Sequence, residues 1–347
     1  MKYKAPWWLP GGNLQTIWPA LYARRVTGSP PSYRRERWAT PDGDFVDVDF
    51  LIPVAGATPP TDTGNQASPP SPAGQPLLVL FHGLEGSSRS HYAEAFADWC
   101  AGQGIAFAVP HFRGCSGELN QGPRAYHSGD FEEIDWILRR LRAQHMAQGG
   151  GPLVAVGVSL GGNALMRWAG EMGQTAHEVA DAVAAVSSPI DLAAGGHAIG
   201  RGFNRLVYTR MFLNSMKPKA LAKLAQHPGL FNRAALMAAR DLYEFDQHFT
   251  APLHGFRSTE DYWARASAKP HLASIRIPAL LLNARNDPFV PAWSLPKRHE
   301  LGAHVTLWQP AHGGHVGFVQ GRLPGHVLAM PDAVGRWLLG AASSTRQ

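Results

Sequence analysis

A five-residue turn, Gly157-Val158-Ser159-Leu160-Gly161, holds the side chain most able to do chemistry in this 347-residue chain. It joins the apolar run "PLVAVGVS" to the helix-like segment "LGGNALMRWAGEM". A serine at such a strand-to-helix turn is held in a strained conformation, so the residues on both sides must be small. The turn also places the hydroxyl above a helix N-terminus, whose free N–H groups favour negative charge. We therefore predict that Ser159 is a catalytic nucleophile.

A serine hydroxyl becomes a good nucleophile when an adjacent base is held in place by a third group. In chains with this kind of turn, the acid and then the histidine follow the serine. Asp287 comes just after the apolar run "PALLLNA", where a carboxylate can orient a histidine. Asp191 is the alternative acid, and Asp287 could instead simply begin a turn before Pro288. We favour Asp287 as the acid.

The stretch "QPAHGGHVGF", residues 309–318, contains two candidate bases, His312 and His315. We predict His315 as the base, because the Gly-Gly pair before it permits a tight path across the sheet. The small and apolar residues after it would suit packing beside an acyl pocket. We expect His312 to have a structural role. No nearby carboxylate or cysteine completes a ligand set with the two histidines, so we predict no metal site.

An attack on a carbonyl group also needs two backbone N–H donors that face the developing negative charge. The first should be Leu160, the residue after the nucleophile. The second should come from the loop "HGLEGSS", residues 82–88, where Leu84 is the best candidate. We expect His82 to support this loop rather than to take part in the reaction.

Strand and helix patterns alternate along most of the chain. A first strand, "DFVDVDFLIP", has the period-two alternation of a half-buried strand. The later strands are continuous apolar runs, and amphipathic helices lie between them. In the helix "DFEEIDWILRRLRAQ", Asp130 and Glu133 are spaced to form a capping box. The pattern predicts an α/β fold with a mostly parallel central sheet and helices on both faces.

Two segments interrupt this alternation. Residues 55–76 are rich in Pro, Gly, Ser and Thr and are predicted to be an exposed, flexible loop. Residues from about 190 to 269 are basic and helical, and we interpret them as a cap inserted over the sheet. The chain would then be a single domain over residues 1–347, with this cap as an insertion.

Charge and composition limit the classes of partner. Residues 201–240 contain eight Lys or Arg and no Asp or Glu, while the whole chain carries a net charge of +6. Such a block is typical of a solvated helix face or of peripheral contact with an anionic membrane. No nucleic-acid-binding module accompanies it, so we expect no nucleic-acid partner. The sequence has two cysteines, no signal-peptide pattern and no membrane-spanning run, which predicts a cytoplasmic protein.

Several motifs, in order over residues 9–318, give the chain a family resemblance: "LPGGNLQTIWP", "HGLEGSSRSHY", "HFRGCSGELN", "RAYHSGD", "GVSLGGNALMRW", "NARNDPFVP" and "GGHVGF". The chain resembles the α/β-hydrolases, and specifically the YheT-like branch of bacterial hydrolases and eukaryotic medium-chain esterases and alcohol acyltransferases. The resemblance implies that Ser159, Asp287 and His315 form a triad. Arg113, Arg124 and His127 lie in motifs without an assigned chemical step and would shape the site or, more simply, pack beneath it.

These observations predict a serine hydrolase that cleaves carboxylic esters with short to medium acyl chains and needs no cofactor. Its partner would be a small-molecule acyl ester. An acyltransferase that passes the acyl group to an alcohol would use the same residues. A non-catalytic binding protein is the alternative from another class, and an intact triad in the expected order argues against it.

Overall fold

Residues 3–53 and 74–344 are described by a computed structural model, and within these ranges eight strands form one sheet. The strand order is β1-β2-β4-β3-β5-β6-β7-β8. β1 and β2 are antiparallel to each other, and β2 is antiparallel to β4, whereas β3 to β8 all run parallel. The strands are β1 Tyr33–Ala39, β2 Phe45–Leu51, β3 Leu77–Phe81, β4 Ala106–Pro110, β5 Leu153–Val158, β6 Ala182–Val186, β7 Ala279–Leu282 and β8 Val305–Trp308.

Helices occupy most of the connections between the strands. They are α1 Gly12–Leu21, α2 His91–Gln103, α3 Phe131–Ala147, α4 Leu160–Met172, α5 Leu192–Ile199, α6 Gly202–Asn204, α7 Arg210–Gln226, α8 Arg233–Ala238, α9 Leu242–Phe245, α10 Ala251–Leu253, α11 Thr259–Ala266 and α12 Ala329–Ser344. Two π-helical turns, Arg205–Thr209 and Asp246–Thr250, lie among them. Within the described residues no helix is both long and apolar enough to cross a membrane.

The sheet separates two apolar cores. Along β3, Val79 and Phe81 pack in the core that contains α3 and α4, while Leu78 and Leu80 pack in the core that contains α2 and α12. All five residues of β3 are buried. A parallel strand covered on both faces needs apolar side chains at every position, which is why β3 to β7 appear as continuous apolar runs in the sequence. The predicted α/β fold, a mostly parallel sheet with helices on both faces, is confirmed.

The strand predicted from "DFVDVDFLIP" is β2, but its acidic residues do not face solvent as the alternating pattern suggested. Asp47 and Asp49 are buried. Arg37 lies opposite Asp47 on β1, and Arg35 lies opposite Asp49. Each arginine donates two hydrogen bonds of 2.7–2.9 Å to the carboxylate that it faces. These cross-strand ion pairs offset the cost of burying the two carboxylates on β2.

The capping box predicted at the start of α3 is wrong. The side chain of Asp130 accepts no hydrogen bond from the helix N-terminus and instead forms an ion pair with Arg124. Glu133 forms an ion pair with Arg113, with 2.7 Å between Nε and the carboxylate oxygen. Each carboxylate pairs with a guanidinium instead. A hydrogen bond between two ions is stronger than one from a neutral backbone N–H to a carboxylate.

Helices α5 to α11 all lie between β6 and β7, where the alternation of strands and helices stops in the sequence. The long helical stretch predicted from "LFNRAALMAARDLYEFDQHF" is divided into α8, α9 and a π-helical turn. The break follows α8, because Ala239 has extended backbone dihedrals and Asp241 then caps α9 by accepting the N–H of Glu244. The loop predicted at 55–76 lies almost entirely outside the described residues.

Candidate active site

Ser159 lies at the turn between β5 and α4 with φ 54° and ψ −120°, a conformation that non-glycine residues rarely adopt. The flanking glycines explain why the turn can form. A Cβ on Gly157 would lie 2.4 Å from the carbonyl oxygen of Gly161, and a Cβ on Gly161 would lie 2.4 Å from the carbonyl oxygen of Phe81. The serine hydroxyl is thus held at the carboxyl edge of the sheet.

The structure brings the three predicted residues into one chain of hydrogen bonds. Nε2 of His315 lies 2.9 Å from Oγ of Ser159. Nδ1 of the same ring lies 2.9 Å from Oδ2 of Asp287 and 3.2 Å from Oδ1. With Nδ1–H donating to the carboxylate, Nε2 carries the lone pair that accepts the serine proton. This is the geometry that a serine nucleophile and its base require.

Asp287 is held in place by the loop that follows β7. Its Oδ1 accepts the backbone N–H of Phe289 at 2.8 Å and that of Val290 at 3.3 Å. Its side chain is fully shielded from solvent. The alternative acid, Asp191, is occupied elsewhere, since it caps α5 by accepting the N–H of Ala194 at 3.1 Å.

The N-terminal helix α1 positions the histidine loop, a role that was not predicted from the sequence. Thr16 Oγ1 accepts the backbone N–H of His315 at 2.9 Å. Gln15 Oε1 accepts the N–H of Gly313 at 2.9 Å and also a hydrogen bond from Asn286. Both side chains lie in the segment "GGNLQT", which contributed to the sequence-based prediction only as part of a family motif. Polar side chains at the start of the chain therefore hold a loop some 300 residues later.

His312 differs from His315 in its surroundings. It is exposed, and Asn286 Nδ2 lies 3.5 Å from its Nδ1, at the limit of a hydrogen bond. One clue used to choose between the two histidines was wrong: Val316 and Phe318 do not line the cavity above Ser159 but are buried in the core that contains α2 and α12.

The two amides predicted to bind the developing oxyanion lie next to Ser159. Among the described residues, the N–H groups of Leu84 and Leu160 donate to no acceptor. The neighbouring amides in the first loop are occupied: Gly83 N–H donates to the hydroxyl of Tyr92 at 2.9 Å, and Glu85 N–H donates to the hydroxyl of Tyr126 at 3.1 Å. The two tyrosines therefore fix the loop on either side of the free Leu84 amide.

His82 supports this loop from beneath. Its Nε2 accepts the backbone N–H of Phe112 at 3.1 Å, so its Nδ1–H donates to the carbonyl of Gly83 at 2.8 Å. Burial, assisted by the neighbouring His111, lowers the pKa of His82 to about 3. The ring is therefore neutral at physiological pH, and both nitrogens are used to hold the backbone.

Arg113 and His127 line the wall of the cavity, and their polar groups are held by structural contacts. Arg113 is buried and ion-paired with Glu133 and Asp42. Burial lowers the pKa of His127 to about 3, and its Nδ1 accepts the N–H of Gly129 at 3.1 Å. These contacts favour the packing interpretation of the two motifs.

A cavity of about 1170 Å³, including its open mouth, lies over Ser159 and His315. Much of its wall is apolar and comes from the helices between β6 and β7: Leu192, Ile199, Phe212, Met216, Leu242, Phe245 and Phe249. A polar end includes Glu85, Asn120, Lys219 and Lys223. The reacting groups therefore face a pocket suited to a mostly apolar molecule with one polar end.

Comparisons with known proteins agree with this arrangement. Residues 76–322 match the family described as the alpha/beta hydrolase fold. YheT of Escherichia coli (strain K12), named as a candidate esterase, is 38% identical over 328 residues, which cover 94% of this chain and 89% of that protein. The phospholipase ABHD3 of Mus musculus is 28% identical over 305 residues, covering 86% of this chain and 70% of that protein.

The solved structures share the fold. The esterase Pf2001 of Pyrococcus furiosus superposes with a TM-score of 0.51 at 14% identity, covering 93% of this chain and 97% of that one. At this identity the likeness concerns the fold alone. Sequence identity to YheT and the match to the family over most of the chain are the stronger findings. The chain belongs to the α/β-hydrolase family, in the branch that includes YheT.

Proposed function

We propose that this protein is a serine esterase that cleaves carboxylic esters of short to medium acyl chain length. The observation that carries the proposal is the hydrogen-bonded chain from Asp287 through His315 to Ser159, which opens onto an apolar cavity. A binding protein without activity would have no need to hold a serine in a strained turn within 2.9 Å of a buried histidine.

The reaction would proceed in two stages. In the first, Oγ of Ser159 attacks the ester carbonyl while Nε2 of His315 takes its proton, and the Leu84 and Leu160 amides stabilise the oxyanion. His315 then gives this proton to the departing alcohol, leaving an acyl-enzyme. In the second stage, His315 removes a proton from water, which attacks the acyl group and regenerates Ser159. Asp287 stabilises the imidazolium in both stages.

The apolar wall of the cavity supports an acyl chain as the part of the substrate that is bound. Each buried methylene contributes about 0.8 kcal/mol, which is roughly a fourfold gain in kcat/KM per CH₂ until the pocket is full. We propose that the helices between β6 and β7 act as a cap that sets this limit. Names of relatives support a lipid-like ester, since one is a phospholipase and another, from Saccharomyces cerevisiae, a monoacylglycerol lipase.

The proposal is tested by labelling the protein with a fluorophosphonate and then assaying p-nitrophenyl esters from acetate to palmitate. We expect Ser159 to be labelled and kcat/KM to rise with acyl length before it falls. Ser159→Ala is the control and should abolish both signals. Labelling that persists in Ser159→Ala would show that another residue is the nucleophile.

Acyl transfer to an alcohol would use the same acyl-enzyme, so the assay is repeated with added short alcohols. For an esterase, the rate of acid formation should greatly exceed that of new ester. Formation of new ester as the main product, at alcohol concentrations far below that of water, would instead assign the protein as an acyltransferase.

A further inference from the structure

The basic block at residues 201–240 does not form one uniform solvated face. Lys223 is buried, and its Nζ donates to the carbonyl oxygens of Asn120 and Gly122 at 2.6 Å. Lys219 forms an ion pair of 2.8 Å with Glu85. These central lysines therefore tie the helix to the body of the protein, whereas Arg201, Arg205 and Arg210 at the start of the block are exposed.

That start is one continuous helix. α6, the π-helical turn Arg205–Thr209 and α7 follow one another, and the residues at both junctions have helical dihedrals. The inner side of its first turns is buried: Thr209 donates to the carbonyl of Ile199 at 2.7 Å, and Tyr208 donates to Asn13 at 3.0 Å. One side of this helix therefore packs against the body of the protein.

The outer side of the same turns carries large apolar side chains in solvent. Phe203 is 51% exposed, Leu206 73% and Met211 55%, and Val207 is also exposed. A soluble surface normally spaces such residues apart, whereas a contiguous apolar patch marks an interaction site. We call this patch, together with Arg201, Arg205 and Arg210, the arginine–apolar face.

The three arginines of this face are exposed, and none of them enters an ion pair with any residue that the structure describes. Glu244 on α9 is an acidic group within electrostatic reach of Arg205. Its carboxylate already accepts the backbone N–H and the guanidinium of Arg240, at 2.6 and 3.0 Å. The face is therefore strongly positive as well as apolar.

The helix that carries the arginine–apolar face also forms part of the cavity wall. Phe212, one residue after exposed Met211, lines the apolar wall of the cavity, and so does Ile199 at the end of α5. The helix thus separates the pocket over Ser159 from the exposed face.

We propose that the arginine–apolar face docks onto an anionic lipid surface. Apolar side chains flanked by unpaired arginines match an interface that has negative headgroups above acyl chains. Peripheral binding of this kind needs no membrane-spanning helix. The inference does not rest on the proposed esterase activity, because docking requires no turnover at Ser159.

The test is flotation of the full-length protein with vesicles of phosphatidylcholine alone or with added phosphatidylglycerol. We expect binding to the anionic vesicles and its loss in high salt. An arginine near an anionic surface strengthens partitioning roughly fivefold, so Arg205→Gln combined with Arg210→Gln should weaken binding about 25-fold. Leu206→Ser combined with Met211→Ser should also weaken binding. Because these substitutions change no charge, purely electrostatic attraction to the vesicle would not explain that loss.

The matched control is Arg89→Gln with Arg298→Gln, two exposed arginines elsewhere whose loss changes the net charge equally. It should bind like the wild type. Equal loss in the control, or no flotation with anionic vesicles, would overturn the proposal. Light scattering offers a further test. If it shows that the wild type is a dimer and that Leu206→Ser with Met211→Ser is a monomer, the face binds a second copy of the chain and the proposal is overturned. Unchanged thermal unfolding of each variant excludes misfolding.

Discussion

Nδ1 of His315 lies 2.9 Å from Oδ2 of Asp287, and the aspartate side chain is fully shielded from solvent. An amide at this position would present a donor and would favour the wrong histidine tautomer. We therefore expect Asp287→Asn to lower kcat by about 10⁴-fold, as measured with a p-nitrophenyl ester. Asp191→Asn is the control: it should cost at most about 1 kcal/mol in stability through the α5 cap and leave kcat unchanged. The opposite pattern would make Asp191 the acid.

The two histidines of one loop should respond differently to the same substitution. His315→Ala removes the base beside Ser159 and should lower kcat by about 10⁴-fold or more. His312→Ala removes an exposed side chain and should change kcat about twofold at most. Steady-state kinetics of both variants provide the check, and a comparable loss in His312→Ala would contradict it.

The elements that carry Ser159, Asp287 and His315 could be predicted because each follows a strand, buried for β5 and β7 and half-buried for β8. An apolar run that ends in a glycine or an Asn-Asp pair can be recognised in the local sequence, without knowledge of which distant residues it contacts. The support of the site could not be predicted in this way. Thr16 and Gln15 contact the histidine loop across roughly 300 residues, and no local pattern encodes such a pairing.

The errors have a similar cause. Asp130 and Glu133 have the spacing of a capping box, but guanidinium groups from other segments compete for both carboxylates. Asp47 and Asp49 alternate with apolar residues as solvent-facing positions do, but β1 supplies an arginine opposite each. In both cases the arginine that pairs with the carboxylate comes from a different segment of the chain, so the local pattern does not reveal it.

Thr16 should act as a positioning residue for the base. Thr16→Val keeps the shape but leaves the backbone N–H of buried His315 without its acceptor, at a cost of about 1–3 kcal/mol in unfolding free energy. The displaced ring should lower kcat by roughly tenfold with little change in KM. Thr16→Ser should restore kcat, and a Thr16→Val variant with normal kcat would show that the contact only stabilises the fold.

Tyr126 should hold the loop that carries the Leu84 amide. Its hydroxyl accepts the Glu85 N–H at 3.1 Å and donates to the Glu85 carboxylate at 2.9 Å. Tyr126→Phe should lower kcat by about tenfold, less than the 10²–10³ expected for losing an oxyanion donor outright. Tyr22→Phe, at an exposed position, is the control. If kcat is normal and KM alone rises, Tyr126 contacts substrate and does not position the loop.

Asp49 should make stability depend on acid pH. Burial alone would raise its pKa, but hydrogen bonds from Arg35, His111 and Ser88 outweigh burial and hold the pKa well below its usual range. A carboxyl whose pKa is lowered by folding stabilises the protein fully above its unfolded pKa of about 3.9 and progressively less as pH falls below it. Arg35 is partly exposed, so we expect Asp49→Asn to cost about 1–3 kcal/mol at pH 7.

This cost should shrink as the pH is lowered through about 4, because the unfolded wild-type chain then binds a proton at Asp49 that the native protein, with its lowered pKa, does not bind. Urea unfolding of the wild type and Asp49→Asn between about pH 3 and pH 7 measures the difference. Glu132→Gln, at an exposed carboxylate on α3, should change stability by less than about 0.5 kcal/mol throughout. A cost of Asp49→Asn that stays constant down to the lowest pH would mean that packing, rather than the charge of Asp49, stabilises β1 against β2.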